Sequence, residues 1–263
     1  MNWAILSPGL IVGGALVLIG LERLFPYDPR QRLLRKGFWT DLIGYGLVQS
    51  YLLGLCISAI IGWLDRQTGL SRLALVREWP LLAQVAFFLV VHDFYIYWFH
   101  RLQHHSNVLW RTHEAHHSGD DVDWLSGTRS HSLEILINQT IEFAPIALLG
   151  ASPEVPLIKA TIDALWGMYI HSNLNVRTGR LQYFINGPEM HRWHHARDLA
   201  PPGKNFSTKL AIWDWLFGTA HLPATKPTLY GYDDVGYPRT GRWAWFSQHL
   251  YAFRREPRDS STV

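Results

Sequence analysis

Three long apolar stretches, separated by short polar ones, occupy the first hundred residues. Ala4–Leu21 runs for 18 residues without a charge, close to the roughly 20 needed to cross a bilayer. No basic run precedes it, and Glu22-Arg23-Leu24-Phe25 stands where a cleaved leader would present small residues, so it is read as a retained helix. Gly9 and Gly13 form a GxxxG pair that suits close helix contact. After the polar Pro26–Thr40, Leu42–Leu64 is a second charge-free run, 23 residues long and the clearest transmembrane segment. Beyond the polar Asp65–Glu78, Trp79–Phe99 forms a third apolar helix, interrupted in its second half by His92 and Asp93. Ionisable groups at that depth are expected to face protein or a wet cavity rather than lipid.

Further on, Ile135–Ile170 reads as an apolar hairpin bent at Gly150-Ala151-Ser152-Pro153. Glu142 on one arm and Lys159 and Asp163 on the other argue for a packed or re-entrant pair over two lipid-exposed spans. From Arg197 the chain is mixed and aromatic and reads as a cap lying on the membrane, with a disordered tail at Asp259–Val263. Placing Arg30–Lys36 in the cytoplasm by the positive-inside rule brings His100 out on the same side. The expectation is an all-α, polytopic membrane bundle: helices over 1–91, a histidine-rich domain with its hairpin over 92–218, and a cytoplasmic cap over 219–263.

Composition fits that picture. Charged residues make up 17% of the chain, below the roughly 25% of soluble domains. Thirteen Trp and eleven Tyr suit the membrane–water interface. The net charge of +3 is scattered rather than striped, which argues against nucleic acid. Cys56 is the only cysteine, so an intrachain disulfide and a thiolate cluster are both excluded. Any metal must use nitrogen and oxygen donors.

Twelve of the fourteen histidines lie between His92 and His195. His100 and His104 are four apart and share a helix face. His113, His116 and His117 follow HxxHH spacing, and His191, His194 and His195 repeat it. With His171 these make nine imidazoles, too many for one tetrahedral ion and suited to two with positions open for dioxygen or water. Neutral imidazole binds Fe, Zn, Cu and Ni alike, so the spacing alone names no metal. His105, offset by about 100° from His104, is a candidate ligand or hydrogen-bond partner to one. His131 is a candidate for the site or a satisfied polar histidine, His92 for a buried hydrogen-bonded one, and His221 and His249 for surface positions. Asp93, Glu114, Glu134 and Asp214 are candidates to fix the imidazole tautomers.

Two other chemistries fit parts of this pattern. His113-Glu114-Ala115-His116-His117 satisfies HExxH, the signature of a zinc protease with Glu114 as base. Against it, Arg192 replaces that glutamate in the second box, and the other box histidines would have no role. A non-enzymatic haem or metal-transport protein would need only two axial histidines, or ligands within the spans.

The stretches YWFHRLQHH, HEAHHS, RSHSLE and GPEMHRWHH followed by IWDWLFGT resemble the fatty acid hydroxylase/sterol desaturase superfamily of membrane di-iron oxygenases, over about residues 92–218. Within it the chain looks most like the bacterial sterol desaturase-like and alkylglycerol monooxygenase branches. The resemblance implies a helical membrane fold with its boxes on the cytoplasmic side of a bacterial inner membrane. It also implies two irons, ligated by the nine histidines above, and O2-dependent hydroxylation or desaturation of a fatty acyl, sterol or alkylglycerol lipid. His171 matches the isolated histidine such proteins carry before the last box. Asn175 stands where some members have a further histidine, which leaves a tenth ligand open. No fused cytochrome b5 segment fits the length, so electrons are expected from a separate cytochrome b5- or ferredoxin-like donor.

Overall fold

A computed structural model describes residues 2–197, 203–232 and 236–254. They are mostly helical, and their only strand-like pairings are the isolated bridges Pro26–Leu174 and Ala196–Tyr230. Three helices are long and apolar enough to cross a membrane: α1 (Trp3–Leu24), α2 (Thr40–Thr68) and α3 (Leu81–His105). Their apolar side chains, such as Leu16, Leu52, Leu55 and Leu82, are exposed on the protein surface, as lipid-facing positions should be. The first ten residues of α2, Thr40–Gln49, are wound as a π-helix. The third helix outruns the expected Phe99 because nothing breaks it before Ser106, so His100 and His104 both ride on its last turns.

Four shorter helices follow in sequence: α4 (Asn107–His117), α5 (Ser132–Leu148), α6 (Glu154–His171) and α7 (Pro188–His194). Ser106 turns the chain between α3 and α4, its Oγ accepting a hydrogen bond from Leu109 N. The expected hairpin is the α5–α6 pair, reversed at Gly150, whose φ is +69°. A β-carbon there would stand 2.6 Å from Ser71 O, so both conformation and space call for glycine. Val85 and Phe88 of α3 pack with Ile146 and Val155 of the hairpin in a buried apolar cluster. The charges on the hairpin arms pair internally. Lys159 Nζ bonds Glu142, Asp163 (2.7 Å) and His92 Nδ1 (3.2 Å), and Lys209 reaches Asp163 at 2.7 Å.

α1 packs along α6 and α2 along α5. Gly9 and Gly13 do not make the α1 contact. Nothing lies within 4 Å of a β-carbon built on either, whereas one on Gly14 would run into Leu165. The helical period sets Gly14, with Ser7, on the α6 side, where Ser7 Oγ and Thr161 Oγ1 are hydrogen-bonded at 2.6 Å. At the end of α1 the buried Glu22 accepts from Trp124 N (2.9 Å) and Asn173 N (2.7 Å).

The C-terminal part contributes α8 (Ile212–Leu216) and α9 (Ala244–Tyr251). α9 docks through Gln248, whose Oε1 accepts from Tyr45 OH at 2.6 Å. His249 is not a surface residue, contrary to the sequence expectation. It is half-buried, its Nε2 accepting from Ser132 N (3.1 Å) and Ser132 Oγ (2.8 Å), and it lies 4.6 Å from the His131 ring. His221 is also half-buried, against Trp193. The expected tail, Asp259–Val263, lies outside the described residues.

Candidate metal centre

The histidines sit at the ends of four helices. His100 and His104 are in the last turns of α3, His113, His116 and His117 in those of α4, His171 closes α6, and His191 and His194 lie on α7 with His195 just after it. All four are helix C-termini, where unsatisfied carbonyls leave partial negative charge that favours a cation.

The nine form two groups, one of His100, His104, His113, His117 and His194, the other of His116, His171, His191 and His195. Within each group one ring nitrogen per residue lies within 4.8 Å of all the others. The two HxxHH boxes divide in opposite senses. In the first, His113 and His117 (i, i+4) go to the larger group and His116 to the smaller. In the second, His194 goes to the larger, while His191 and His195 (i, i+4) go to the smaller. One helical turn therefore serves both positions.

Five of these rings are oriented by oxygen acceptors. The Nδ1 of His100 donates to Phe206 O (2.8 Å), His113 to Glu134 Oε1 (2.9 Å), His116 to Arg129 O (3.0 Å), His171 to Gly167 O (2.7 Å) and His194 to Lys204 O (2.8 Å). An oxygen there can only accept, so each Nδ1 carries the proton and each Nε2 presents a bare lone pair. Those lone pairs converge. His100 Nε2 stands 3.1 Å from His113 Nε2, and His116 Nε2 3.3 Å from His171 Nε2. Burial, reinforced by neighbouring imidazoles, pushes His116, His117, His191 and His195 well below the usual histidine pKa, and burial takes His194 down to about 3. Neutral rings with lone pairs face to face repel one another, and a cation between them converts that repulsion into ligation. The buried His104 Nε2 and His191 Nδ1 make no hydrogen bond. An all-imidazole, buried donor set of this kind fits a pair of divalent transition-metal ions.

Two carbonyl acceptors come from one turn. Gly203 has φ +83° and Asn205 φ +56°, which throws Lys204 O and Phe206 O toward His194 and His100. Asn205 holds the turn through Nδ2 to Met190 O (2.8 Å) and His221 O (2.7 Å). Arg129, whose carbonyl orients His116, is locked by its guanidinium on Asp41 at 2.8 Å. Arg35 bridges Asp41 and Asp123 beside it. Gly127 presses on the smaller group, for a β-carbon there would lie 2.8 Å from His171 Nδ1.

Of the four carboxylates expected to fix tautomers, only Glu134 touches one of the nine histidines. Asp214 acts one step away, accepting from Phe206 N (2.8 Å), Ser207 N (2.9 Å) and Thr219 Oγ1 (2.6 Å) and so shaping the same turn. Asp93 binds Thr208 Oγ1, Lys209 N, Leu210 N and Trp213 Nε1, which ties α3 to the loop before α8. Glu114 is paired with Arg254 at 2.5 Å and belongs to neither group. His105 is exposed and outside both groups. His131 instead accepts from Leu133 N at the start of α5 and bonds His249 O. Asn175 is exposed, with its backbone N–H on Phe25 O. Gly127, Asn205 and the carbonyls of Lys204, Phe206, Arg129 and Gly167 were not legible as functional positions. A carbonyl leaves no mark in sequence, and only the Gly-x-Asn spacing hints at a left-handed turn.

A cavity of about 200 Å³ opens beside both groups, touching His100, His113, His116, His171 and His191. A larger groove of about 690 Å³, lined by residues including Ile57, Ile61, Phe143, Ile146 and Leu157, runs between α2 and the hairpin.

A family model described as fatty acid hydroxylase matches residues 85–219. The chain is 38% identical to an ornithine lipid hydroxylase, OlsE, of Rhizobium tropici over 181 residues, covering 69% of this chain and 54% of that protein. It is 35% identical to the alkylglycerol monooxygenase of Homo sapiens over 139 residues, covering 53% and 31%. It is 27% identical to the very-long-chain aldehyde decarbonylase GL1-8 of Oryza sativa over 205 residues, covering 75% and 76%. The chain thus spans about half of the first of these and about a third of the second. No solved structure matches it.

Proposed function

The chain belongs to the fatty acid hydroxylase family, and from that premise we propose that it is an O2-dependent, di-iron membrane oxidoreductase that hydroxylates or desaturates a lipid C–H bond. The observation that carries this reading is the partition of nine histidines, eight buried and His116 half-buried, into two adjacent donor groups with facing lone pairs. Two iron ions held there would supply reduction of dioxygen and attack on an unactivated C–H bond.

The residues contribute position and exclusion. Phe206 O, Lys204 O, Arg129 O, Gly167 O and Glu134 hold five rings in one tautomer, so the ligand nitrogens are pre-aimed. Burial of the rings keeps water from the reacting atoms. The small cavity beside the rings would admit the group to be oxidised, and the larger groove along α2 would lodge an acyl chain. Two of the relatives are named as an ornithine lipid hydroxylase and an alkylglycerol monooxygenase, and this chain is proposed to act on a polar membrane lipid of that kind. Electrons would come from a separate cytochrome b5- or ferredoxin-like protein, with the site on the cytoplasmic side of a bacterial inner membrane.

The test is metal analysis of the purified protein together with comparative lipidomics. Two irons per chain and a lipid mass change of one oxygen or two hydrogens are expected. His116→Ala and His194→Ala should abolish the product and lower iron content. One zinc per chain, or a haem absorbance band, would overturn the assignment.

A further inference from the structure

The cavity beside the histidines carries several polar side chains on a largely apolar wall. Gln103 on α3, Asn138 on α5 and Trp166 on α6 all line it. Gln103 Nε2, Asn138 Oδ1 and Trp166 Nε1 are buried and have no hydrogen-bond partner. Gln103 is 1% exposed. Buried polar atoms are nearly always paired, and leaving one unpaired costs about 1–3 kcal/mol. Three of them around a single cavity point to a ligand that completes them. His92 Nε2, Glu134 Oε2 and His191 Nδ1 on the same wall also lack a hydrogen bond, and Asp163 Oδ1 there is ion-paired with Lys209 at 2.7 Å. Each of those first three residues has a role besides lipid contact: His92 Nδ1 bonds Lys159, Glu134 Oε1 bonds His113, and His191 is one of the nine clustered histidines.

The donor–acceptor count is restrictive. Gln103 Nε2 and Trp166 Nε1 donate, and Asn138 Oδ1 accepts. A secondary amide presents the complement on two separate atoms, since its carbonyl oxygen has two lone pairs and its N–H donates once, whereas a hydroxyl has the same count but must meet all three groups from one oxygen. An ester can take both donors but leaves Asn138 unanswered, and a methylene chain answers none. The volume adds a second restriction. About 200 Å³ falls below the roughly 300–1,000 Å³ of sites that engulf a whole ligand, so a segment enters while the remainder of the lipid lies outside.

We propose that Gln103, Asn138 and Trp166 form a clamp for an amide group of an acylated lipid, so that oxidation falls on a carbon close to that amide. The inference rests on the oxygenase reading for what happens to the bound lipid, but the clamp can be tested by binding alone.

The experiment uses the full chain purified with its metal in detergent. N-methylpalmitamide and methyl palmitate differ at one position, N–H against O, 1-hexadecanol places a donor and both lone pairs on one oxygen, and heptadecane has no polar atom. In competition binding, the amide should bind wild type at least about tenfold more tightly than the ester, and the ester more tightly than the alkane, as expected for one buried acceptor left unpaired. Asn138→Leu should remove the amide-over-ester preference. Trp166→Phe, which keeps the ring and loses only the N–H donor, should weaken amide and ester alike. Gln103→Leu should do the same, with metal content unchanged in all three variants. Equal binding of amide and ester by wild type, 1-hexadecanol binding as tightly as the amide, or an amide preference that survives Asn138→Leu, would overturn the clamp. A wild-type protein without two irons would sink the oxygenase reading instead, and the amide preference would still stand or fall on its own data.

Discussion

His100 Nε2 and His113 Nε2 face each other at 3.1 Å with no proton between them, because each ring has already given its Nδ1–H to an oxygen, Phe206 O in one case and Glu134 in the other. The pair comes from two helices joined by a single turn at Ser106. Its geometry is set by acceptors that lie outside both of those helices.

Among the described residues, Glu134 is the carboxylate hydrogen-bonded to one of the nine, His113. Glu134→Gln retains an oxygen that can accept from His113 Nδ1 but removes the charge that raises the basicity of Nε2. Metal affinity should fall about 10- to 100-fold, measured by chelator competition, with little change in fold. Glu134→Ala should fall further, since the ring then loses its orientation as well.

At Gly127, a methyl group would stand 2.8 Å from His171 Nδ1 and 3.3 Å from Gly167 O, wedged between the donor and acceptor of one bond. Gly127→Ala should therefore disturb the group of four histidines and spare the group of five. About half of the bound metal should be lost, on the two-ion reading of the donor set. Full metal occupancy in this variant would mean that His171 is not a ligand.

Asn205 combines a left-handed backbone with three side-chain bonds, two donated by Nδ2 and one accepted by Oδ1 from His221 N. Asn205→Ala loses all three, worth about 0.5–1.5 kcal/mol each, and adds about 1–2 kcal/mol of backbone strain. Asn205→Gly loses the bonds and avoids the strain. Thermal unfolding in detergent should rank wild type above Gly and Gly above Ala. Both variants should also bind metal more weakly, because Lys204 O and Phe206 O move.

The fourth prediction concerns pH. Burial, with His131 nearby, lowers the His249 pKa to about 4, against roughly 6.5 for a free histidine. The unfolded segment therefore binds more protons between those values, and stability of the α9 docking rises with pH across that window. It is complete above about pH 6.5 and is lost as the pH falls toward about 4. Hydrogen exchange of α9 amides should accelerate between pH 7 and pH 5, and His249→Gln should flatten the response.

The membrane helices and the histidine boxes were legible because both are local patterns. A charge-free run and an i, i+3, i+4 spacing survive translation into any helix. What escaped was whatever depends on a partner. Gly9, Gly13 and Gly14 are equally small, and only the position of Leu165 decides which of them meets α6. Four acidic residues were equal candidates for orienting a histidine, and tertiary placement chose Glu134. His249 looks like an exposed residue near the end of the chain until α9 folds back onto Ser132.

The turn around Asn205 gives the order of synthesis a meaning. All nine histidines have been translated by His195, yet Lys204 and Phe206, which aim two of them, have not. A ribosome that has just finished the last box holds a nascent chain with every donor present and His194 and His100 still free to rotate. On the metal-centre reading, the two rings are aimed only once the codons for Lys204 and Phe206 have been read, and a protein truncated just beyond His195 would carry the complete histidine signature without those acceptors.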